Sequence, residues 1–238
     1  MLFEGRTETQ FQAFSWIWVS MLLDHRNNLM TKCTVVRFFS CLHPWMISSK
    51  GEHFVAKVIV GLSMSLDGFI NDRNGSVAEL YPDMDEMHET QSLQDMIRNT
   101  GAVVMGRHAF AMGDPDEYAD TYEFQVPIFV LTTDPPLKQP KQNRALRFTF
   151  VTDGIESAIQ QARSSAGDKD VVVIGGASTI RQCLKAGLVD EIQIDLMPVL
   201  LGQGLRLFED ICEEPIHLEK MDVMQSRVRT TLIFRILK

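Results

Sequence analysis

Three places in the chain join an apolar run to residues that can hold an anion. The first is Val171-Val-Val-Ile174, followed by Gly175-Gly176 and then Ala177, Ser178 and Thr179. In open α/β sheets, ligands bind beyond the carboxyl ends of strands. Two glycines there let backbone approach a diphosphate, and the free N–H groups of the next helix favour anions. Ser178 and Thr179 add hydroxyl donors. A tight strand-to-helix turn with no ligand accounts for the same two glycines, so both readings stand. The second place is Val103-Val-Met-Gly-Arg-His-Ala-Phe110. Arg107, directly after Gly106, has the planar fork that binds phosphate bidentately. A surface arginine near a helix start would look the same. The third is Leu131-Thr132-Thr133, a strand end carrying small hydroxyls, for which helix or turn capping is the alternative role. The chain has no GxGxxG, GxxxxGKS or GxxxxGKT, so it carries neither the dinucleotide fingerprint nor a P-loop.

The elements that must position these groups can be read from the same periodicities. Ala56 to Ser63 is β-rich and reads as a buried strand, with Asp67-Gly68 a turn after it. Residues 84–99 read as one helix. Met84, Met87, Met96 and Ile97 are spaced for one face, Asp83 stands at the cap position and Gly101 follows the end. Ala102 to Met105 is a short strand, and 113–126 is acidic loop or irregular helix. Pro127 to Thr132 and Phe148 to Val151 are strands. Asp153, with Glu156 three positions on, opens a helix to about Ala166. A helix after Gly176 runs to Ala186 and ends at Gly187. From Glu191 the pattern becomes alternating: Ile192, Ile194 and Leu196, then Val228 to Ile236, with residues 216–224 completing an antiparallel pair. Helices alternating with apolar strands predict a three-layer α/β/α domain. Its sheet is mostly parallel, with an antiparallel C-terminal hairpin.

Composition narrows the function classes. The 238 residues are 45% hydrophobic and 23% charged, an ordinary globular balance. The net charge of −8 argues against a nucleic-acid or anionic-lipid footprint. Cys33, Cys41, Cys183 and Cys212 form no CxxC pair, so no disulfide framework or metal site is expected and a reducing cytoplasm fits. Residues 1–55 differ from the rest. They hold all three tryptophans, and residues 1–54 carry a net +1. Phe11 to Leu23 is too short to span a bilayer, and Glu4 and Glu8 do not suit a signal peptide. The segment reads as an extension outside the fold, with a membrane-surface or partner-binding role as the alternative. The boundary falls at Ser48-Ser49-Lys50-Gly51.

Six motifs occur together and in order: Ser65-Leu-Asp-Gly-Phe-Ile70, Val104-Met-Gly-Arg107, Phe129-Val-Leu-Thr132, Ile174-Gly-Gly-Ala177, Ala186-Gly-Leu-Val-Asp-Glu191, and Pro198-Val-Leu-Leu-Gly-Gln-Gly204 with Leu207-Phe208. On them, residues 56–238 resemble the dihydrofolate reductase-like superfamily. The branch they resemble is the reductase (C-terminal) domain of the riboflavin-biosynthesis deaminase/reductase, RibD. The resemblance implies NADPH as cofactor. It puts Gly106 and Arg107 on the cofactor phosphates and Thr132 and Thr133 on the adenosine side. It puts Gly175, Gly176, Ala177, Ser178 and Thr179 at the diphosphate, with the Gly175–Gly176 peptide cis. Two positions depart from the pattern. Ala109 stands where dihydrofolate reductases usually have threonine, and Asp134 follows the two threonines, close to where a 2′-phosphate would lie.

For catalysis, the resemblance points to Asp67 as the substrate-side residue, with a turn aspartate supporting Gly68 as the alternative. Glu86 on the first helix is the candidate for the carboxylate that dihydrofolate reductases place there. It would serve if buried, and is otherwise a solvated partner of the helix dipole. Asp195 and Gly202-Gln203-Gly204 would close the opposite wall. The implied activity is a reduction like that of 5-amino-6-(5-phosphoribosylamino)uracil reductase, on a pyrimidine or pterin-like small molecule, by a homodimer. A dihydrofolate reductase-type activity and a nucleotide-binding module without turnover are the alternatives. The chain lacks the HxE…PCxxC signature of the zinc deaminases, so no deaminase activity is expected. Because the motifs begin near Ala56, removing residues 1–50 is expected to leave a cooperatively folding domain. Thermal melts of the full and shortened chains check this, and a loss of cooperative unfolding would show that the extension is part of the core.

Overall fold

The computed structural model describes residues 56–238; the extension expected over residues 1–55 lies outside them. Eight strands form one sheet: β1 (Val58–Ser65), β2 (Thr100–Gly106), β3 (Ile128–Leu131), β4 (Phe148–Val151), β5 (Asp170–Val173), β6 (Glu191–Met197), β7 (Leu218–Gln225) and β8 (Thr230–Ile236). Their spatial order is β4-β3-β2-β5-β1-β6-β8-β7. The first six in that order are mutually parallel, while β8 pairs antiparallel with both β6 and β7. The inner strands β2 and β5 are almost wholly apolar and buried, as strands covered on both faces must be.

The helices are α1 (Met84–His88), α2 (Gln91–Asn99), α3 (Arg107–Phe110), α4 (Tyr118–Thr121), α5 (Ile155–Ala166) and α6 (Ala177–Lys185). Helices α5 and α6 press Ala158, Ile159, Ala162, Ile180 and Leu184 onto Val58, Val60, Val104 and Val173, making one core. On the opposite face, Met96 and Ile97 of α2 pack against a second core of Val103, Met105, Phe110, Ile128 and Phe148. The predicted three-layer α/β/α architecture, with its antiparallel C-terminal strands, is therefore the observed one. Cys183, on the buried face of α6, is fully enclosed, and burial pushes its thiol up to about 12, so it stays a packed, unreactive side chain.

Several local expectations are corrected. The single helix expected over 84–99 is two. Thr90 breaks it, accepting Leu93 N–H and donating to the Met87 carbonyl, and so caps α2. Asp83 makes no cap hydrogen bond; its carboxylate turns inward. Gly154, not Asp153, sits at the cap of α5, and the Asp153 carboxylate accepts from Ser157 Oγ instead. The acidic stretch 113–126 contains the single turn α4. Gly101 follows the end of α2 as expected, directly after the Thr100 cap, but it also lies inside β2, against the end of α5. A Cβ there would stand 2.6 Å from the Ala166 carbonyl oxygen and 2.8 Å from its Cα, both backbone atoms that cannot swing away. Gly101→Ala is therefore expected to cost about 1–3 kcal/mol, the scale of an overpacked site, read as a lowered denaturation midpoint with an unchanged slope.

Candidate functional site

Strands β2 and β5 are parallel neighbours, so their carboxyl ends arrive side by side. Ile174 N–H donates to the Val104 carbonyl at 2.9 Å, and Gly106 N–H donates to the Gly175 carbonyl at 3.1 Å. The two glycine junctions thus touch. A Cβ on Gly106 would lie 2.4 Å from Thr179 Oγ1, so only glycine fits between the strand end and α6. The Gly175–Gly176 peptide is cis, and Gly175 has φ 54°, a region that favours glycine. A Cβ on Gly176 would meet nothing within 4 Å, so this backbone faces open space. Gly176 caps α6 with no side-chain bond, and the first-turn N–H groups of Ala177, Ser178 and Thr179 have no partner within the helix. Ala177 and Thr179 are buried, and Ser178 is exposed.

Arg107 opens α3 directly beside this contact. It is exposed, and among the described residues it joins no ion pair. Gly106 pairs in register with Leu131, so the end of β3 lies next to it. There Thr132 is buried and holds a turn. Its Oγ1 accepts Asp134 N–H at 3.1 Å, while Thr133 and Asp134 are exposed. Ala109 lies against Gly175, 3.8 Å from where a Cβ would stand. The adjoining strand ends thereby bring together Gly106, Arg107 and residues 175–179, with Thr132 and Thr133 at their flank.

The loop after β1 forms a second wall. Residues 65–72 zip onto residues 199–207 through Leu66 N–H to Val199 O, Ile70 N–H to Leu205 O and Leu207 N–H to Gly68 O. Asp67 is the staple of this zipper. Its carboxylate accepts from Ser65 Oγ at 2.6 Å, Leu201 N–H at 3.1 Å and Gly202 N–H at 2.7 Å. The Ser65 hydroxyl, with these backbone donors and against some burial, holds its carboxyl below the usual carboxylate value. Arg206 stacks over the Phe69 ring at 4.5 Å and donates to the Asp67 carbonyl. Gly204 has φ 147°, and a Cβ there would stand 1.9 Å from the Asn71 oxygen, so the two segments meet at backbone distance. Beside them opens a groove of about 730 Å³, lined in part by Asn71, Arg73, Gly202, Gln203 and Gly204.

Glu86 is not buried. It is exposed on α1 and ion-paired with Arg227 at 2.7 Å. The buried carboxylate at this place is Asp83, three positions earlier. Its two oxygens take the Nε and Nη2 donors of Arg229 at 2.9 and 2.5 Å. Arg229 Nη1 reaches Asp195 Oδ2 at 2.8 Å and Ser63 Oγ at 3.4 Å. Asp195 Oδ1 accepts from Thr231 Oγ1 at 2.5 Å. Ser63, Asp195 and Thr231 stand opposite one another on β1, β6 and β8, near the carboxyl ends of β1 and β6. Hydrogen bonding from Arg229 lowers the Asp83 pKa against the cost of burial. Burial works to lower the Arg229 value, but the two aspartates more than offset it, and it ends raised. Asp83 was legible only as a helix cap, and Arg229 only as a position within the alternating run Val228 to Ile236. They are 146 positions apart, so the one available signal was the polar face of β6 in Gln193 and Asp195.

Residues 56–232 match the RibD C-terminal domain family. Among curated proteins, the chain is 28% identical over 167 residues to the uncharacterized protein YyaP of Bacillus subtilis, covering 65% of this chain and 81% of that one. Among solved structures, it resembles a protein of Shewanella sp. PV-4 assigned to riboflavin biosynthesis, with 21% identity, TM-score 0.63, and 76% of this chain and 99% of that one covered. The deaminase/5-amino-6-(5-phosphoribosylamino)uracil reductase of Thermotoga maritima aligns at 16% identity and TM-score 0.56, over 76% of this chain and 57% of that longer one. Dihydrofolate reductase of Enterococcus faecalis, complexed with NADP(H), aligns at 13% identity and TM-score 0.50, over 78% and 99%. At these identities the structures share the fold. The chain belongs to the RibD C-terminal domain family.

The buried charge cluster has a direct test in stability. Removing the guanidinium in Arg229→Met leaves Asp83 buried without a partner, which is expected to cost about 3–5 kcal/mol at neutral pH. Because the folded-state value of Asp83 lies below its ordinary 3.8, the pair's contribution is present above that pH and fades as pH falls through the lowered value. The gap between wild type and variant, measured by denaturant unfolding, should be largest near pH 7 and narrow below about pH 4.

Proposed function

We propose that this member of the RibD C-terminal domain family is an NADPH-dependent reductase of a small nitrogen heterocycle, related in reaction to 5-amino-6-(5-phosphoribosylamino)uracil reductase. The observation that carries the reading is the glycine contact at the ends of β2 and β5. Gly106 leaves no room for a Cβ against Thr179, while Gly176 borders open space. This is a backbone cradle with an uncommitted arginine at its rim, and a dinucleotide's diphosphate fits it. Gly106, Arg107, Gly175, Gly176, Ala177, Ser178 and Thr179 would hold the phosphates. Thr132 and Thr133 would border the adenosine. NADPH, when bound, supplies the hydride.

The chain's own part is then alignment and exclusion of water. Asp67 fixes the wall formed by residues 199–207, and through it the substrate side of the crevice. Asp67 and Asp83 are both held in the charged form, so they orient and polarise rather than donate a proton. Glu86 is given no proton-transfer role, since it is solvated and paired with Arg227. A cytoplasmic homodimer acting on a small molecule, with no nucleic-acid or membrane partner, completes the reading. Among the described residues, no helix is long and apolar enough to cross a membrane.

NADPH titration followed by fluorescence, then loss of NADPH absorbance with the ribosylaminouracil phosphate as substrate, tests the proposal. Arg107→Ala should weaken NADPH binding by about 1.5–3 kcal/mol, the scale of a charged hydrogen bond. An unchanged dissociation constant in a folded variant would reject the phosphate role. Binding without turnover would leave a nucleotide-binding module.

A further inference from the structure

We propose that Asp134 sets the cofactor preference of this site. Its carboxylate opposes the 2′-phosphate that distinguishes NADPH from NADH, and it accepts from the ribose 2′-hydroxyl of the dinucleotide that lacks this phosphate. NADH therefore binds about as well as NADPH. The inference rests on the reading of the β2 and β5 ends as a dinucleotide cradle, and it adds a second reductant to that reading.

The placement comes from the order of the sheet. The glycine contact joins the ends of β2 and β5, while the walls made by residues 65–72 and 199–207 follow β1 and β6, beyond β5. A dinucleotide with its nicotinamide at those walls sends its adenosine the other way, across the end of β3. The ribose is joined directly to the diphosphate, so it falls over the strand next to the cradle. Gly106 pairs in register with Leu131 of that strand, and neighbouring strands stand about 4.8 Å apart. Thr132, Thr133 and Asp134 come next in the chain. Thr132 N–H donates to the Val151 carbonyl at 3.0 Å, which brings the end of β4 alongside.

Asp134 is held in place and has no other task. The Thr132 hydroxyl accepts Asp134 N–H and donates to the Asp134 carbonyl, both at 3.1 Å. Pro135 and Pro136 stiffen the chain after it. A turn aspartate commonly accepts a backbone N–H two residues on, but Pro136 has none to offer. Asp134 is exposed, and among the described residues its carboxylate joins no hydrogen bond or ion pair. The cations around it are largely taken. Lys138 pairs with Asp116, Lys141 with Asp120, and Arg181 of α6 donates to the carbonyls of Leu207 and Arg206. Arg107 is uncommitted, but it serves the diphosphate. Asp153, exposed past the end of β4, adds a second acid on this side. A 2′-phosphate would bring about 1.5–2 further negative charges to this place. A ribose hydroxyl instead brings a donor, the pairing by which acids recognise the unphosphorylated dinucleotide.

Fluorescence titration of the full chain with NADH and with NADPH tests the assignment. The two dissociation constants should agree within about threefold. Asp134→Asn, which keeps the shape and removes the charge, should tighten NADPH binding by about fivefold or more and should not tighten NADH binding. The gain for NADPH should shrink as salt rises from about 50 mM to 500 mM, because screening shortens the reach of the lost charge. A mere change in turn shape would give no such salt dependence. If the variant does not fold, competition on the unaltered protein decides the matter. There 5′-AMP should displace bound NADH at least as well as adenosine 2′,5′-bisphosphate does. NADPH binding much tighter than NADH binding, equal NADPH binding by the folded variant, or stronger competition by the bisphosphate would overturn the role of Asp134 alone. Binding of neither dinucleotide would overturn the reductase reading, and the role of Asp134 with it.

Discussion

The insertion of β5 between β2 and β1 is the constraint on which the site depends. Strand β5 has four residues and hydrogen-bonds in parallel on both sides, so its register decides where the ends of both neighbours fall. Val171, Val172 and Val173 are buried on both faces, and no polar residue could replace them without leaving an unpaired group in a core. With that register set, the chain must leave the sheet at Gly175 beside Gly106. The 3.1 Å bond between these glycines and the missing Cβ at Gly106 result from the ladder. The glycine contact proposed as an anion cradle is therefore built on the buried centre of the sheet.

On the other side of β1 the organising interaction is the guanidinium of Arg229. It gathers α1, β1 and β6 to the start of β8, holding four segments by one side chain. Such a group is a weak source of stability, because desolvation offsets much of the attraction. It is a strong source of geometry. Each donor has a named acceptor, and Asp195 can take few other orientations. The exposed pair of Glu86 with Arg227 lies next to it but is solvated, and pairs of that kind contribute little. The β7–β8 turn therefore grips α1 through the buried ion pair and not through the visible one.

The two walls differ in how they are held. Around Asp67 the fastening is mostly backbone hydrogen bonding between residues 65–72 and 199–207, stapled by a carboxylate that accepts three donors. Around Arg229 it is side chain to side chain. Backbone zippers tolerate sequence change except where chains touch, as at Gly204 against Asn71. Side-chain networks tolerate little, since one substitution leaves another group buried and unpaired.

The strands and the second-half helices were legible in the sequence because they depend on local pattern. The apolar run at Val171 and the alternation from Ile192 to Leu196 each dictate a face to bury, and Gly175-Gly176 marks where a strand must end. The glycine and arginine residues of the cradle were legible for the same reason, each being adjacent in sequence to the strand that positions it. Local pattern went wrong where a residue had a distant partner. Asp83 looked like a helix cap, but Arg229, 146 positions away, offers its carboxylate more than a backbone N–H does. Gly101 was rightly read as following a helix end, but the packing that requires glycine there, the end of α5 in its side-chain space, was not legible. Thr90 split a helix whose apolar spacing was continuous. Sequence alone determined the fold class and the site's backbone. Which acids are buried and paired and which are solvated was decided only by tertiary structure, because burial and pairing depend on strand register across the whole sheet.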